Sequence, residues 1–235
     1  KATFGIFPAN ARGDDVEIYT DDSRTQICAV MHGLRQQFAK DGRPSQCLAD
    51  YVATVDSNQA DWIGAFVVTA GLGVSEVVRE LEEANDDYTA ILTKAVADRL
   101  AEALAELMHK RVRTNIWGYA SSETFTNKEL ISESYLGIRP APGYPACPDH
   151  TEKGTIFELL DAEGTLGVQL TESYAMTPAA SVSGWYLAHP SAKYFGVGRI
   201  GRDQIEDYAR RKDWSIEEAE RWLAPNLGYD PDEQR

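Results

Sequence analysis

The chain has 235 residues, 43% of them apolar, and its 23 Lys plus Arg against 37 Asp plus Glu give a formal net charge of −14. This length and apolar content allow one large domain or two closely packed halves. The acidic balance argues against nucleic-acid binding and against adsorption to anionic membranes, because both need clustered cations.

The cysteine content and the hydropathy pattern point to a reducing compartment. The three cysteines, Cys28, Cys47 and Cys147, form an odd and sparse set, unlike a secreted disulfide framework. No apolar run approaches twenty residues, and the N-terminus shows no signal-peptide pattern. We therefore expect a cytoplasmic protein. Because the chain begins at Lys1 and enters a predicted strand at once, it reads as a fragment of something longer.

The first seventy residues are predicted to form mainly strands. Alternating or β-branched segments predict strands at 2–7, 16–20, 26–31 and 63–71. Gly, Pro, Asn and Asp predict a strand end at 8–10 and turns at 12–15 and 41–44. A short helix is expected at 48–52.

A long region without proline, 75–112, predicts two helices with a break near 85–87. In the second helix, apolar residues recur every three or four positions, which predicts a helix that packs its apolar stripe on the sheet. The stripe comprises Tyr88, Ile91, Leu92, Ala95, Val96, Leu100, Ala103, Leu104, Leu107 and Met108.

The C-terminal half mixes both element types. Helices are predicted at 127–134, 153–161 and 203–212, with strands at 169–175, 182–188 and 193–200, and a capping box at 215–218 opens the last helix. Alternating βαβ units are missing, so a doubly wound parallel sheet is not expected. The order predicts one α+β domain over 1–235, with a mostly antiparallel twisted sheet and long flanking helices.

Two short motifs resemble binding sites but do not meet the requirements for them. Gly71-Leu-Gly73 follows a predicted strand, but Glu76 stands where the third glycine of a dinucleotide or Rossmann methyltransferase site would be. Two Cys and His pairs, 28 with 32 and 147 with 150, could in principle hold zinc, but nothing in the sequence brings them together. We therefore predict a strand-to-helix turn and no metal site.

A proline-rich stretch, 139–153, is the most informative part of the chain: Arg-Pro-Ala-Pro-Gly-Tyr-Pro-Ala-Cys-Pro-Asp-His-Thr-Glu-Lys. Its prolines fix the backbone and exclude a helix or a central strand, so the segment loses little entropy on ordering. Arg139 at its start suits bidentate capture of a carboxylate or phosphate. A stiff loop of this length flanked by charge is typical of a binding loop.

This loop closely resembles the signature of the C-terminal activation domain of cobalamin-dependent methionine synthase. The resemblance spans nearly the whole chain in the family's order. It includes Pro8-Ala-Asn, Asp61-Trp-Ile-Gly-Ala-Phe, Ala97-Asp-Arg-Leu-Ala-Glu-Ala, Ser181-Val-Ser-Gly-Trp-Tyr and Arg221-Trp-Leu-Ala-Pro-Asn-Leu-Gly-Tyr. It implies a curved α+β domain, unlike the usual methyltransferase fold, that binds S-adenosylmethionine (AdoMet).

AdoMet offers a carboxylate, an ammonium, a sulfonium and an adenine. Arg139 can pair with the carboxylate and Asp61 or Glu133 with the ammonium, while Tyr194 or Phe195 can face the sulfonium or the base. Backbone groups of 140–143 can bind the adenine edge. By resemblance, Asp61, Arg139, Ala141 and Tyr194 match AdoMet-contacting positions, and Glu133 joins them. Without the resemblance, Asp61 would be read as a cap or turn residue and Tyr194 as a strand aromatic.

The resemblance also implies a role. The family's domain holds AdoMet with its methyl group aimed at the cobalt of oxidised cobalamin, while a flavodoxin-like or diflavin reductase supplies an electron, so that methylcobalamin forms again. No side chain is then a catalytic acid, base or nucleophile. Asp98 and Glu102 on the second long helix would meet the cobalamin-binding module. Cobalamin, zinc, folate and homocysteine sites belong to other modules.

Two alternatives remain at this stage. The chain could be a docking domain for a redox partner that binds no small molecule. It could also be a free-standing AdoMet-dependent methyltransferase, although no Rossmann glycine pattern and no evident general base support that reading.

Overall fold

Seven strands, seven α-helices and four short 3₁₀ or π-helical segments are found in the computed structural model, which describes residues 1–37, 42 and 44–232. The strands are β1 (Ala2–Arg12), β2 (Asp15–Tyr19), β3 (Ile27–His32), β4 (Asp61–Thr69), β5 (Gln169–Leu170), β6 (Met176–Thr177) and β7 (Ser181–Tyr186). One antiparallel sheet has the order β3-β2-β1-β4-β7, and β5 pairs with β6 in a separate ribbon. The helices are α1 (Val74–Glu83), α2 (Asp87–Arg111), α3 (Asn127–Ile131), α4 (Glu152–Leu160), α5 (Ala162–Leu166), α6 (Arg202–Lys212) and α7 (Ile216–Trp222).

Strand β4 lies inside the sheet and is covered on both faces. Successive side chains of a strand point to opposite faces, so Ile63, Ala65 and Val67 join the large core that includes α4 and α5. Phe66 and Val68 join a second cluster with α2. Burial on both faces explains the nearly continuous apolar run in this segment. The mixed α+β class with an antiparallel sheet is confirmed.

Most of the predicted apolar stripe of α2 does not face the core, and that prediction is largely wrong: of the stripe, only Met108 is buried in a core cluster, with Leu104 packed against it. The buried face of the helix is mostly alanine, namely Ala90, Ala97, Ala101 and Ala105. Small side chains let the helix backbone approach the sheet closely, so the larger residues turn outward. The exposed ones are Tyr88, Ile91, Leu92, Val96, Leu100 and Leu107. Periodicity shows that a helix has an apolar face, but it does not show what covers that face.

The first strand is longer than its proline suggests. We expected 8–10 to end it, but β1 continues through Pro8 to Arg12, and Pro8 stands opposite Trp62 of β4. The pairs of β1 with β2 begin only at Ala9. Pro8 therefore lies where β1 has a strand neighbour on one side only, and such a position tolerates a residue without an N–H.

Two predicted C-terminal strands differ from the structure. The segment 193–200 is not a strand, because its backbone groups bond to separate loops: Val197 N donates to Pro145 O at 2.8 Å and Ile200 N to Asn226 O at 2.8 Å. The expected strand 169–175 is only two residues long, since Thr171 N bonds back to Ala175 O at 2.9 Å and closes a turn. Asp41 and Arg43 of the predicted turn at 41–44 lie outside the described residues.

The remaining helices agree with the sequence in part, since α3 is shorter than the predicted 127–134 and α5 was not predicted. The break between α1 and α2 falls at 84–86, where Asp86 Oδ1 caps α2 by accepting from Thr89 N at 3.1 Å. Ser215 caps α7 in the same way, at 3.1 Å from Glu218 N. α6 and α7 enclose a smaller core around Tyr208 and Leu223. Within the described chain, no helix combines the length and apolarity needed to cross a bilayer.

Candidate functional site

A cavity of about 550 Å³ opens between the proline-rich loop, the sheet and α2. Five of the residues predicted for AdoMet binding line it: Glu133, Arg139, Ala141, Tyr194 and Phe195. Its volume is within the range of small-molecule sites. The structure therefore gathers into one place residues that span more than sixty positions of sequence. Other lining residues are Phe66, Glu102, Pro140, Tyr144, Pro145, Ala146 and Val182.

The proline-rich loop is fastened to the edge strand β7. Ile138 and Leu187 exchange two backbone hydrogen bonds of 3.0 Å, and Trp185 N donates to Pro140 O at 2.9 Å. A Cβ at Gly184 would lie 2.7 Å from Pro140 O. Only glycine therefore lets the loop lie this close to β7, and the loop wall of the cavity is fixed by the sheet.

The loop also contains a tight turn. Gly143 has φ +91°, and its N–H donates to Cys147 O at 2.8 Å. Non-glycine residues rarely adopt this φ, and a Cβ here would lie 2.4 Å from the His150 ring. The turn brings Tyr144 and Pro145 to the cavity wall.

Arg139 is the cation of the cavity and is already paired. Its Nη1 lies 2.8 Å from Glu106 Oε2 and donates to Tyr135 Oη at 2.9 Å. Its backbone N–H donates to Tyr194 Oη at 3.0 Å. Burial opposes its charge, but Tyr135 and Glu106 outweigh burial and raise the pKa of Arg139. The guanidinium is therefore charged and held in place before any ligand binds.

Carboxylates accompany this cation at the cavity. Glu133 and Glu102 both line it. Glu133 follows the end of α3 in a left-handed conformation, with φ +53°. One guanidinium and two carboxylates lining the same cavity complement a zwitterion that carries a carboxylate and an ammonium.

Two predicted residues lie elsewhere. Asp61 is not among the residues that line the cavity: its Oδ2 accepts from Ala53 N at 2.8 Å and its Oδ1 from Trp62 N at 2.8 Å. This is the cap or turn role weighed from the sequence, and a role of Asp61 in ligand binding stays a prediction. Asp98 lies one turn from Glu102 but borders a different cavity, of about 580 Å³, between α1, α2 and 176–180.

The sequence did not single out several residues of the site. Phe66 and Val182 were predicted only as strand residues. The partners of Arg139, namely Glu106, His109 and Tyr135, received no role. The spacing of Tyr135 and Arg139 gave no signal, because residues four apart are expected to meet in a helix. Here the chain is not helical but bends at 135–137, where Gly137 has φ +80°.

A buried ionic cluster fixes the far end of the loop. Lys212 Nζ lies 2.8 Å from Asp149 Oδ2 and 2.8 Å from Glu152 Oε1. Tyr208 donates to Asp149 at 2.7 Å. Burial raises the pKa of Glu152, whereas at Asp149 burial is outweighed by Lys212 and the pKa falls. α6 is thereby tied to the start of α4, directly after the loop.

A second opening is less suited to a small ligand. A larger but more open groove of about 1050 Å³ lies beside α7, among exposed charged residues such as Arg221 and Asp232. No group of three or more His, Cys, Asp or Glu side chains in the described ranges is arranged to hold a metal ion.

Comparison with known proteins identifies the family of this chain. Residues 1–213 match the family model described as the activation domain of vitamin B12-dependent methionine synthase. The fold matches a crystal structure of the MetH reactivation domain bound to AdoHcy (S-adenosylhomocysteine), with TM-score 0.95 and 60% identity over 97% of this chain and 70% of that chain. The chain belongs to the family of activation domains of vitamin B12-dependent methionine synthase.

Proposed function

We propose that this chain binds AdoMet in the cavity beside the proline-rich loop and presents its methyl group for the reductive remethylation of cobalamin. The observation that carries the proposal is the convergence of five residues, Glu133, Arg139, Ala141, Tyr194 and Phe195, on one cavity. The similar reactivation domain was crystallised with AdoHcy, which is AdoMet without its transferable methyl group.

Each part of the ligand has a partner of the right chemistry. Arg139 takes the carboxylate, and Glu133 with Glu102 takes the ammonium. The loop segment 140–143 offers backbone groups to the adenine, and the rings of Tyr194 and Phe195 attract the sulfonium. Asp61 is left out of this assignment, because its carboxylate is already used by two backbone N–H groups.

The protein's contribution is to position the methyl donor and to exclude water. Cobalamin held by another module supplies the nucleophilic cobalt, after a flavodoxin-like or diflavin donor has provided one electron. The S–CH₃ bond of AdoMet breaks, the sulfur keeps the electron pair, and AdoHcy is left in the cavity. This chain needs no nucleophile or general base of its own.

The exposed side of α2 is proposed to receive the cobalamin module. Glu102 lines the cavity and Asp98 lies one turn away, so a module docked here would stand at the cavity's opening. Leu100 and Val96 lie on the same helix and are 57% and 48% exposed. Burial of these apolar side chains would favour docking.

Isothermal titration calorimetry with AdoMet and AdoHcy tests the binding proposal. We expect saturable binding that weakens about tenfold to a hundredfold in Arg139→Ala, because a charge-assisted hydrogen bond is lost. Arg79→Ala, on the exposed surface of α1, is the matched control. Arg139→Lys keeps the positive charge but cannot form the bidentate pair. It serves as a second variant in case Arg139→Ala does not fold.

The same experiment separates the alternatives. No heat with either ligand in the unmodified protein would favour a docking domain without a ligand. A second assay mixes the chain with AdoMet, a cobalamin-binding module and a chemical reductant. Methyl transfer that requires cobalamin supports the proposal, whereas methylation of a small molecule without cobalamin would indicate a free-standing methyltransferase.

A further inference from the structure

Three groups hold the side chain of Arg139 by the same nitrogen. Nη1 lies 2.8 Å from Glu106 Oε2, 2.9 Å from Tyr135 Oη and 3.4 Å from His109 Nδ1. Glu106 and His109 are three residues apart on α2 and therefore lie on one face of it. The hydrogen bonds that this guanidinium makes to described side chains all start at Nη1.

These holding groups are themselves fixed by packing. His109 is fully buried, stacks on Tyr186 with ring centroids 5.3 Å apart and meets the Tyr135 ring edge-on at 5.0 Å. Arg113 lies 4.0 Å above the Tyr135 ring and is anchored by Glu123 at 2.7 Å. Such contacts leave the side chains around Arg139 little freedom to rotate.

His109 is neutral and can therefore accept a hydrogen bond. Burial, with further contributions from Arg113 and Arg139, lowers the pKa of His109 well below 6.5. A neutral imidazole has one acceptor nitrogen, and Nδ1 is the one that faces Nη1 of Arg139. The arginine side chain thus meets one anion and two neutral acceptors.

Holding Nη1 has a geometric consequence. A guanidinium binds a carboxylate best through two parallel N–H groups. With Nη1 engaged, the edge formed by Nε and Nη2 still offers such a pair. Because the group is planar and rigid, fixing Nη1 also fixes the direction of that edge.

We propose that Glu106, Tyr135 and His109 are positioning residues that turn the Nε–Nη2 edge of Arg139 towards the carboxylate of the bound ligand. The inference rests on the proposed function and assigns residues that touch the arginine rather than the ligand. Glu106 also balances the charge of Arg139, so that the guanidinium is ordered before binding and less freedom is lost on binding.

Two matched ligands isolate the contribution of the ligand carboxylate to the binding affinity. AdoHcy carries it, whereas S-adenosyl-3-thiopropylamine keeps the adenosine, the sulfur and the ammonium and lacks only the carboxylate. Calorimetry measures both Kd values in the unmodified chain, in Tyr135→Phe, in Glu106→Ala and in Glu106→Gln. Glu80→Ala, at an exposed position of α1, is the control for removing a carboxylate.

We expect a selective effect. Tyr135→Phe weakens AdoHcy about fivefold and Glu106→Ala about tenfold or more, while binding of the amine changes less than about twofold. Glu106→Gln recovers part of the loss, because its amide oxygen still accepts from Nη1. Glu80→Ala binds both ligands as the unmodified chain does.

Other outcomes overturn the inference. Equal weakening of both ligands would mean that these residues only support the fold, and tighter AdoHcy binding in Glu106→Ala would mean that Glu106 competes with the ligand. If Glu106→Ala fails to fold, Tyr135→Phe decides, since it removes one oxygen and no charge. Absence of AdoHcy binding to the unmodified chain would overturn the proposed function itself, and this inference with it.

Discussion

Replacing Lys212 by methionine should destabilise the domain strongly. The Lys212 side chain is 9% exposed, and the carboxylates of Asp149 and Glu152 are each 1% exposed. Its Nζ also lies 2.7 Å from Thr151 Oγ1 and 4.2 Å above the Trp214 ring. The substitution keeps the apolar stem and removes the ammonium that pairs with both carboxylates.

The magnitude follows from burial. Breaking a buried ion pair by removing one partner costs about 3–5 kcal/mol, because the remaining charge is left without compensation. A domain is stable by about 5–15 kcal/mol in total, so the variant should lose about a third or more of a typical stability. For a chain of this size, the loss corresponds to a fall in Tm of about 10 °C. Adding Glu152→Gln to Lys212→Met should recover part of the loss, since one of the unpaired charges is then gone.

Urea unfolding followed by circular dichroism measures these differences. Lys94→Met is the matched control, because Lys94 pairs with Glu82 at the surface, where the two side chains are 54% and 50% exposed. Such a pair contributes less than about 1 kcal/mol. If Lys212→Met unfolds within 1 kcal/mol of the unmodified chain, the argument that this cluster holds α6 to the loop is refuted.

Three further predictions test the helix packing, the loop and a buried titration. Leu100→Ala should lower the free energy of unfolding in urea by less than about 1 kcal/mol, because Leu100 is exposed. Ala101→Leu should lower it by about 1–3 kcal/mol, because the buried position becomes overpacked. The opposite order would mean that the predicted apolar stripe is the face of α2 that packs on the core. Gly184→Ala should weaken AdoHcy binding in calorimetry about tenfold or more by pushing Pro140 away, and unchanged affinity would contradict the close packing. Burial, then Arg113 and Arg139, lowers the pKa of His109, so below pH 6.5 the unfolded chain binds a proton that the folded chain does not. Stability measured by urea unfolding should therefore fall by up to about 1.4 kcal/mol per pH unit as the pH drops, and equal pH slopes in the unmodified chain and His109→Gln would contradict this.

Part of the candidate site could be predicted because half of its lining residues lie in one stiff segment. The proline-rich loop fixes its own backbone, so Arg139, Ala141 and their neighbours are placed together by local sequence alone. Tyr194 was found through the family resemblance. Asp61 shows the limit of this approach, since a carboxylate at the start of a strand can equally bind backbone N–H groups, and in the structure it does.

The sequence by itself determined the α+β class, the order of the long elements, a helix break near 85–87 and the loop, because these depend on local backbone preferences and on periodicity. Only the tertiary structure decided which side of α2 is buried and which groups hold Arg139. Both depend on distances between residues far apart in the chain, such as Glu106 and Arg139. A pattern of apolar residues specifies a face, and only packing shows what meets it.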